Sequence, residues 1–336
     1  MKAIICNKPF DLAVEERATP QPGYDEVLIK ITRVGICGTD FHIFSGNQPY
    51  LDYPRVMGHE LAGEVAEVRP QSHLTEGQRV TINPYLSCGG CVACRRGKPN
   101  CCVDIRVMGV HVDGGMAEFV CVPELAVVPV DGLSSDQAAM IEFLSIGAHA
   151  VRRGSVTDAD QVLVVGAGPI GIATALFAKL AGAEVSLIDV SEQRLIRARD
   201  TLGIADVHIV NGALTPWLEA RTGGDYFDVV FDATGNATAM EKGFYYVAHG
   251  GRYVLVSVVK QDITFSDPEF HKREMQLISS RNATRHDFQL VIDMIRDGAI
   301  PTEALQTHSF DLIDLPEIVP DLARDIGSVL KAIGRL

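Results

Sequence analysis

The stretch VLVVGAGPIG at residues 162–171 decides the fold of this chain, because it joins a short apolar strand pattern to the start of a helix. Its glycines fit the spacing G-x-G-x-x-G. In that pattern Gly166 permits a tight turn, Gly168 lets the backbone approach a pyrophosphate, and Gly171 permits close packing of helix and sheet. The stretch therefore predicts a dinucleotide-binding turn between a strand and a helix.

The residues that follow the turn predict which dinucleotide binds. Pro169 and Ile170 open the helix, whose first N–H groups and positive dipole end face the phosphates. Asp189 ends the next predicted strand, where a carboxylate accepts hydrogen bonds from ribose hydroxyls and repels a 2′-phosphate, so NAD is predicted over NADP. Alternatively, Asp189 caps the helix that begins near Ser191. Arg194 on that helix is a further cofactor-binding candidate, with a solvent-facing position as its alternative.

Strand and helix patterns alternate on both sides of this turn, whereas the residues toward the two ends of the chain do not show this alternation. The alternation predicts βαβ units in a doubly wound parallel sheet, a Rossmann domain over residues 144–283. Residues 1–143 are β-rich and punctuated by Pro and Gly, and with residues 284–336 they predict a barrel-like second domain. The fold class is therefore α/β. The element predictions are strands at 161–165, 184–189, 227–231 and 252–256, and helices at 136–153 and 170–181.

Charge and hydropathy restrict the partners of the chain. The net charge is −13 over 336 residues, the reverse of the basic surface that nucleic-acid binding needs. Hydrophobic residues make up 47% of the chain, but no apolar run approaches the ~20 residues of a membrane span. The N-terminal segment becomes polar too early for a signal peptide, which predicts a cytoplasmic protein. We therefore expect a small-molecule partner, and neither nucleic acid nor a membrane.

Four of the eight cysteines lie in one short loop at the spacing of a metal site. Four thiolates suit a closed, tetrahedral, structural zinc, and disulfides are rare in the cytoplasm. Buried free thiols are the simpler alternative, and Cys101 competes with its neighbour for the fourth position. A DNA-binding zinc ribbon with Arg95, Arg96 and Lys98 as its basic residues is another alternative, but the acidic chain argues against it. The predicted ligands are Cys88, Cys91, Cys94 and Cys102.

A second group of metal-binding residue types is spread along the chain, namely Cys37, His59, Glu60 and Glu142. One thiolate, one imidazole and one or two carboxylates form a more open ligand set than four cysteines, as a catalytic zinc requires. Spacing alone does not bring these residues together. Each of them, taken singly, is better explained by a structural role in the core.

Four further motifs resemble those of the zinc-dependent medium-chain alcohol dehydrogenases, and the resemblance extends over essentially the whole chain. Within the family the chain is most similar to the sorbitol and threonine dehydrogenase branch, in which a glutamate replaces the second zinc cysteine. It departs from the branch at Phe143, where proline is usual, and at Arg69, where the zinc signature has glycine. The motifs are CGTDFH at 37–42, GHE at 58–60, GGMAEF at 114–119 and DATG at 232–235.

The resemblance implies the cofactors of the chain. It implies a GroES-like β-barrel catalytic domain beside the Rossmann domain, with two zinc ions and one NAD per chain. Cys37, His59 and Glu60 would hold the catalytic zinc. Glu142 would be an exchangeable fourth ligand or would hydrogen-bond the zinc-bound water, and the resemblance leaves open which glutamate binds directly.

The same resemblance implies roles in proton transfer. Hydride would pass from the alcohol carbon to the nicotinamide. Thr39 would contact the reacting oxygen and pass its proton through the cofactor ribose toward His42, whereas the alternative for Thr39 is a hydroxyl that caps the helix after Cys37. Arg281 follows the last predicted Rossmann strand, where sorbitol-type enzymes have an arginine that contacts substrate or zinc-bound water. An exposed surface arginine is the alternative.

The expected substrate is a sugar acid, because four segments resemble bacterial L-galactonate and L-gulonate 5-dehydrogenases, which oxidise a secondary hydroxyl of a hexonic acid. His271, Lys272 and Arg281 would hold its carboxylate, although a solvated helix face is the alternative for Lys272 and Arg273. Polyol or threonine oxidation, and a non-enzymatic zinc or nucleotide-binding module, are the other hypotheses. A homo-oligomer, dimer or tetramer, is expected by analogy. The segments are residues 46–50, 109–115, 266–272 and 280–284.

Overall fold

The computed structural model describes residues 1–48 and 51–336, so the segment 46–50 lies partly outside the described residues. The chain divides into two compact units by its internal contacts. Unit 1 consists of Met1–Phe143 and Ala283–Leu336, and unit 2 consists of Leu144–Asn282. No helix within the described ranges is long and apolar enough to cross a membrane.

The N-terminal part of unit 1 is mostly β-structure, since its longer strands bury apolar residues at successive positions. Its strands are β1 (Lys2–Lys8), β2 (Asp11–Glu16), β3 (Glu26–Ile36), β4 (Arg55–Val56), β5 (Glu60–Glu67), β6 (Arg79–Ile82), β7 (Tyr85–Leu86), β8 (Arg106–Val107), β9 (Phe119–Pro123) and β10 (Val127–Pro129). Its helices are α1 (Gly38–Phe44), α2 (Val92–Arg95), α3 (Ser135–Ala139) and the beginning of α4 (Ile141–Arg153).

Strands and helices alternate in unit 2, and the chain then returns to unit 1. The strands of unit 2 are β11 (Gln161–Val165), β12 (Glu184–Asp189), β13 (Asp206–Ile209), β14 (Phe227–Asp232), β15 (Val247–Leu255) and β16 (Gln276–Ser279). Its helices after α4 are α5 (Pro169–Leu180), α6 (Glu192–Leu202), α7 (Thr215–Thr222), α8 (Ala237–Gly243) and α9 (Asp267–Lys272). The C-terminal part of unit 1 contains α10 (Arg285–Arg296), α11 (Thr302–Leu305), β17 (Gln306–Asp311), α12 (Leu315–Arg324) and β18 (Lys331–Arg335).

The main sheet of unit 1 is centred on β3, which has partners along both edges. The strand order is β10-β6-β5-β3-β18-β17, and β9 pairs with the N-terminal half of β3. At the other end of β3, Gly35 pairs with Glu60 of β5, and Ile36 pairs with Ala332 of β18. The first residue of β5 and the start of β18 therefore lie beside the C-terminal end of β3.

The sheet of unit 2 has the strand order β13-β12-β11-β14-β15-β16, and every pair in it is parallel. Numbered from its first strand, this is the order 3-2-1-4-5-6 of a Rossmann sheet. Strands β11 and β12 have the predicted bounds. Strand β15 begins at Val247, before the predicted residue 252. The predicted Rossmann architecture is confirmed.

The helix predicted over 136–153 is wrong in one respect, because the structure breaks it at Met140. Helix α3 ends at Ala139, where the Met140 N–H donates to the Gln137 carbonyl at 3.1 Å in a tightened last turn. Helix α4 then begins afresh at Ile141. Helix α5 begins one residue earlier than predicted, since Pro169 occupies its first turn, where its missing N–H costs nothing.

The packing of α5 on the sheet gives a test of the dinucleotide-binding turn. A Cβ at Gly171 would lie 1.7 Å from the Gly166 carbonyl oxygen, whereas a Cβ at Gly212 would meet no atom within 4 Å. Gly171→Ala should lower the free energy of unfolding by about 1–3 kcal/mol, because the backbone has to move apart. Thermal denaturation measures this, with Gly212→Ala as the control. Equal stability of the two variants would contradict the packing described here.

Candidate active site and structural metal site

The four predicted thiols of the loop at 88–102 come together in the structure. Their sulfur atoms lie within 4.8 Å of one another, with 3.5 Å between Cys91 and Cys94 and 3.9 Å between Cys91 and Cys102. Four sulfurs at zinc-bond length in a tetrahedron lie about 3.8 Å apart. Cys102 is buried and belongs to the group, whereas its competitor Cys101 is exposed and outside it. The donor set therefore fits a closed zinc site.

Local backbone structure prepares this loop for a metal. Cys91 is the N-cap of α2, and Cys102 follows a short 3-10 turn at Pro99–Cys101. Hydrogen bonds from the backbone of Cys94 and Val103 lower the pKa of Cys91 to about 6, whereas burial raises the pKa of Cys94 to about 11. A thiol with a lowered pKa is already thiolate at neutral pH, which is the form that binds zinc.

Cys37, His59 and Glu60 form the second group, and the pairing of β3 with β5 explains why. Their ligand atoms lie within 4.8 Å of one another. Cys37 follows the last residue of β3, and Glu60 is the first residue of β5. A thiolate, an imidazole and a carboxylate are donors that zinc binds, and three protein donors leave a position for a substrate. The residues therefore fit a catalytic zinc.

Buried polar atoms around His59 support this assignment. Within the described residues, neither the Nδ1 atom of His59 nor the Oδ1 atom of Asp40 has a hydrogen-bond partner. Burial lowers the pKa of His59, but the Cys37 thiolate, Asp40 and Glu142 outweigh it and raise that pKa well above its ordinary value. The imidazole thus lies in a strongly negative environment that suits a cation.

Glu60 has a partner that the sequence did not suggest. The Lys331 ammonium donates to both carboxylate oxygens of Glu60 at 2.6 Å and lies 4.3 Å from the centre of the Phe143 ring. Both Lys331 and Glu60 are almost completely buried. A lysine inside the apolar C-terminal stretch VLKAI was the available signal, because a lysine is almost never fully buried without a partner.

Glu142 lies in a different polar contact. It is buried on α4, and the Tyr85 hydroxyl donates a hydrogen bond to its Oε1 atom. Burial raises the pKa of Glu142 to about 7, although His59 partly opposes this. Among residues 1–48 and 51–336, the metal-compatible group contains Glu60 and does not contain Glu142. Sequence reasoning also missed Tyr85, whose position three residues before Cys88 was not informative.

Thr39 and His42 lie on α1, directly after Cys37. The helix is capped by Cys37 and Asp40, and the Cys37 N–H donates to Asp40 at 2.9 Å. The alternative in which the Thr39 hydroxyl caps this helix is therefore wrong. Thr39 is partly buried and His42 is exposed. Residues three apart share a helix face, so Thr39 and His42 lie side by side on α1, the partly buried residue before the exposed one.

The glycine-rich turn of unit 2 has the features that a pyrophosphate needs. Gly166 has φ +104°, which favours glycine, and Gly168 is the N-cap of α5. Asp189 accepts hydrogen bonds from the Ala167 N–H at 2.6 Å and the Ser191 N–H at 2.7 Å. The cap of α6 is Ser191, so the alternative in which Asp189 itself caps the helix is wrong.

The basic candidates of unit 2 differ from one another. The Arg194 guanidinium is 3.9 Å from the position of a Cβ on Gly168, so it lies at the turn and does not simply face solvent. Arg281 is exposed after β16, and Lys272 is exposed and paired with Glu269 at 2.7 Å. Arg273 is buried and lies 5.2 Å from the Tyr226 ring centre, so a solvated helix face is wrong for it.

Comparisons with known proteins decide the family. A model of the alcohol dehydrogenase GroES-like domain matches residues 23–132, and a model of zinc-binding dehydrogenases matches residues 169–297. L-galactonate-5-dehydrogenase of Escherichia coli (strain K12) is 43% identical over 318 residues, 94% of each chain. The chain belongs to the zinc-dependent medium-chain alcohol dehydrogenases. This dehydrogenase therefore has the GroES-like plus Rossmann fold predicted from its sequence.

Solved structures resemble this dehydrogenase over its full length. The RspB alcohol dehydrogenase of E. coli CFT073, solved with NADH, has a TM-score of 0.94 and 31% identity, covering 100% of this chain and 99% of that one. L-idonate 5-dehydrogenase of E. coli has a TM-score of 0.90 and 27% identity, covering 100% and 98%. The predictions of family and enzyme class are confirmed.

The four-cysteine loop gives a second test. Cys91→Ser should remove the structural metal and lower the melting temperature by roughly 5 °C or more, equivalent to about 2 kcal/mol, because metal binding is coupled to folding of the loop. Cys101→Ser is the matched control, since Cys101 is exposed and outside the sulfur cluster. Equal melting temperatures and zinc contents in both variants would contradict the site.

Asp189 gives a third test. Asp189→Ser should raise the Kd for NAD by about tenfold or more and reduce the rejection of NADP, because one carboxylate both accepts hydrogen bonds and repels phosphate. Fluorescence titration with each cofactor measures both effects. Asp200→Ser, an exposed change on α6, the helix that follows Asp189, is the control. A wild-type preference for NADP would show that Asp189 is misassigned.

Proposed function

We propose that this dehydrogenase oxidises a secondary hydroxyl of a sugar acid of the L-galactonate or L-gulonate type, with zinc and NAD as cofactors. The observation that carries the proposal is the 43% identity to L-galactonate-5-dehydrogenase over 94% of both chains. The grouping of Cys37, His59 and Glu60, whose ligand atoms lie within 4.8 Å of one another, supports it independently. Unit 1 is then the catalytic part and unit 2 the NAD-binding part, as predicted for 1–143 with 284–336 and for 144–283.

In this proposal Cys37, His59 and Glu60 hold the catalytic zinc, which polarises the substrate hydroxyl when it is bound. Thr39 would orient the hydroxyl, and its own hydroxyl would accept the substrate proton while giving its proton to the cofactor ribose, the next group on the way to His42. His42 lies one turn further along α1 and is exposed, so it passes the proton to solvent.

The second set of roles concerns the cofactor and the substrate carboxylate. Gly166, Gly168 and Gly171, with the helix start at Pro169 and Ile170, bind the pyrophosphate of NAD, while Asp189 and Arg194 bind its adenosine half. NAD accepts the hydride when it is bound. Arg281 is our candidate for the carboxylate, because an exposed guanidinium binds it bidentately. His271 and Lys272 are further candidates, and the Lys272 ammonium also pairs with Glu269 at 2.7 Å.

A polyol is the second candidate substrate. Sorbitol dehydrogenase of Bacillus subtilis (strain 168) is 29% identical over 93% of this chain and 90% of its own length, which supports this alternative. The sugar acid and the polyol differ in charge, because the acid carries a carboxylate and the polyol is neutral. We also propose that the enzyme is cytoplasmic, since free thiolate ligands suit a reducing compartment. A homo-oligomer is proposed by analogy with the family alone.

The substrate proposal is tested with hexonates and their matching neutral polyols. Arg281→Ala should raise the KM for the acid by about tenfold per ~1.4 kcal/mol lost and leave the KM for the polyol nearly unchanged. Lys242→Ala, which removes an exposed cation on α8 that is not a candidate for the carboxylate, is the control. NADH formation is the measurement. A wild type that is inert toward every hexonate, or equal losses on acid and polyol, would overturn the carboxylate role.

A further inference from the structure

The two buried glutamates of unit 1 have different partners. Glu60 is 0% exposed and pairs with the Lys331 ammonium, whereas Glu142 is 2% exposed and accepts a hydrogen bond from the Tyr85 hydroxyl. One carboxylate therefore has a cationic partner and the other a neutral one. This difference separates two side chains that are otherwise chemically equivalent as metal ligands.

Tyr85 is itself held in place by the backbone around it. It lies on β7, where it pairs with Val107 of β8, and its N–H donates to the Asn83 side chain at 3.1 Å. Its side chain is only 8% exposed. The phenol hydroxyl is therefore a fixed donor, and the carboxylate that it contacts loses the freedom to rotate.

The position of Glu142 matters because it shares its surroundings with the metal-compatible group. Its carboxylate interacts electrostatically with both His59 and Glu60. Within the described residues, however, the group whose ligand atoms lie within 4.8 Å of one another contains Cys37, His59 and Glu60 only. Glu142 thus acts electrostatically on two members of the group and lies outside it.

We propose that Tyr85 is a positioning residue that restrains Glu142 and keeps its carboxylate out of the ligand set of the catalytic metal. The inference rests on the proposed zinc site and adds how the second buried glutamate is held. If Tyr85 loses its hydroxyl, Glu142 loses a hydrogen bond in a buried place, where an unsatisfied carboxylate is costly. A cation bound at the Cys37 group would then offer a replacement partner, and Glu142 would enter its ligand set.

Cobalt(II) reports this change directly, because its visible spectrum depends on the number and type of its ligands. Cobalt is exchanged into the Cys37 group of the full-length chain while zinc remains in the four-cysteine loop. Absence of the exchanged bands in Cys37→Ser identifies the site. Tyr85→Phe keeps the ring and its packing but removes the donor, and it should shift the position and intensity of the cobalt bands.

Two controls separate positioning from general damage. Tyr24→Phe removes a hydroxyl from a residue of unit 1 that is 87% exposed, and it should leave the spectrum unchanged. In a Glu142→Gln chain, Tyr85→Phe should produce less than half of the spectral change that it produces in the wild type. This dependence on Glu142 is not expected if Tyr85 only stabilises the fold.

The outcomes distinguish this inference from the proposed function. If the cobalt spectrum of a folded Tyr85→Phe chain is identical to that of the wild type, the positioning role is wrong and the metal site stands. If the full shift persists in the Glu142→Gln chain, Tyr85 does not act through Glu142, and the inference is again overturned. If the wild type takes up no cobalt at the Cys37 group, both the metal site and this inference fail.

Discussion

The ion pair between Glu60 and Lys331 is the interaction on which the open donor set, the group of Cys37, His59 and Glu60, depends. Removing two charges from water costs several kcal/mol per ion, and only close pairing compensates for it. The two residues meet because β5 and β18 flank the same end of β3. A slip of one residue in either pairing would turn the side chains to the other face. A lysine near the C-terminus therefore fixes Glu60 beside Cys37 and His59.

The two metal-compatible groups are assembled in different ways, and this difference matches their chemistry. The four-cysteine group is local, since its members fall within residues 88–102 and depend on the turns of one loop. The open group draws on β3, on the start of β5 and, through Lys331, on β18. A site held by distant strands resists small local movements, which suits a centre whose ligands must leave one position for a substrate.

The local features were predictable from the sequence, and the long-range ones were not. The Gly166 turn, strands β11 and β12 and the four-cysteine spacing follow from patterns a few residues long. Lys331 and Tyr85 contact glutamates that are far away in sequence, and only the three-dimensional structure reveals those contacts. The burial of Arg273 could not be predicted either, because the sequence of a basic run does not show which of its residues is exposed and which packs against an aromatic ring.

We propose that each donor set holds one zinc ion. One ion is bound by the four sulfurs of the loop at 88–102, and the other by Cys37, His59 and Glu60. The direct measurement is the zinc content of the purified, full-length wild type, combined with X-ray absorption at the zinc edge. We expect about two zinc ions per chain, with sulfur as the predominant ligand at about 2.3 Å and a minority of nitrogen and oxygen near 2.0–2.1 Å. A chain that contains no zinc, or one whose zinc has only sulfur ligands, would contradict it.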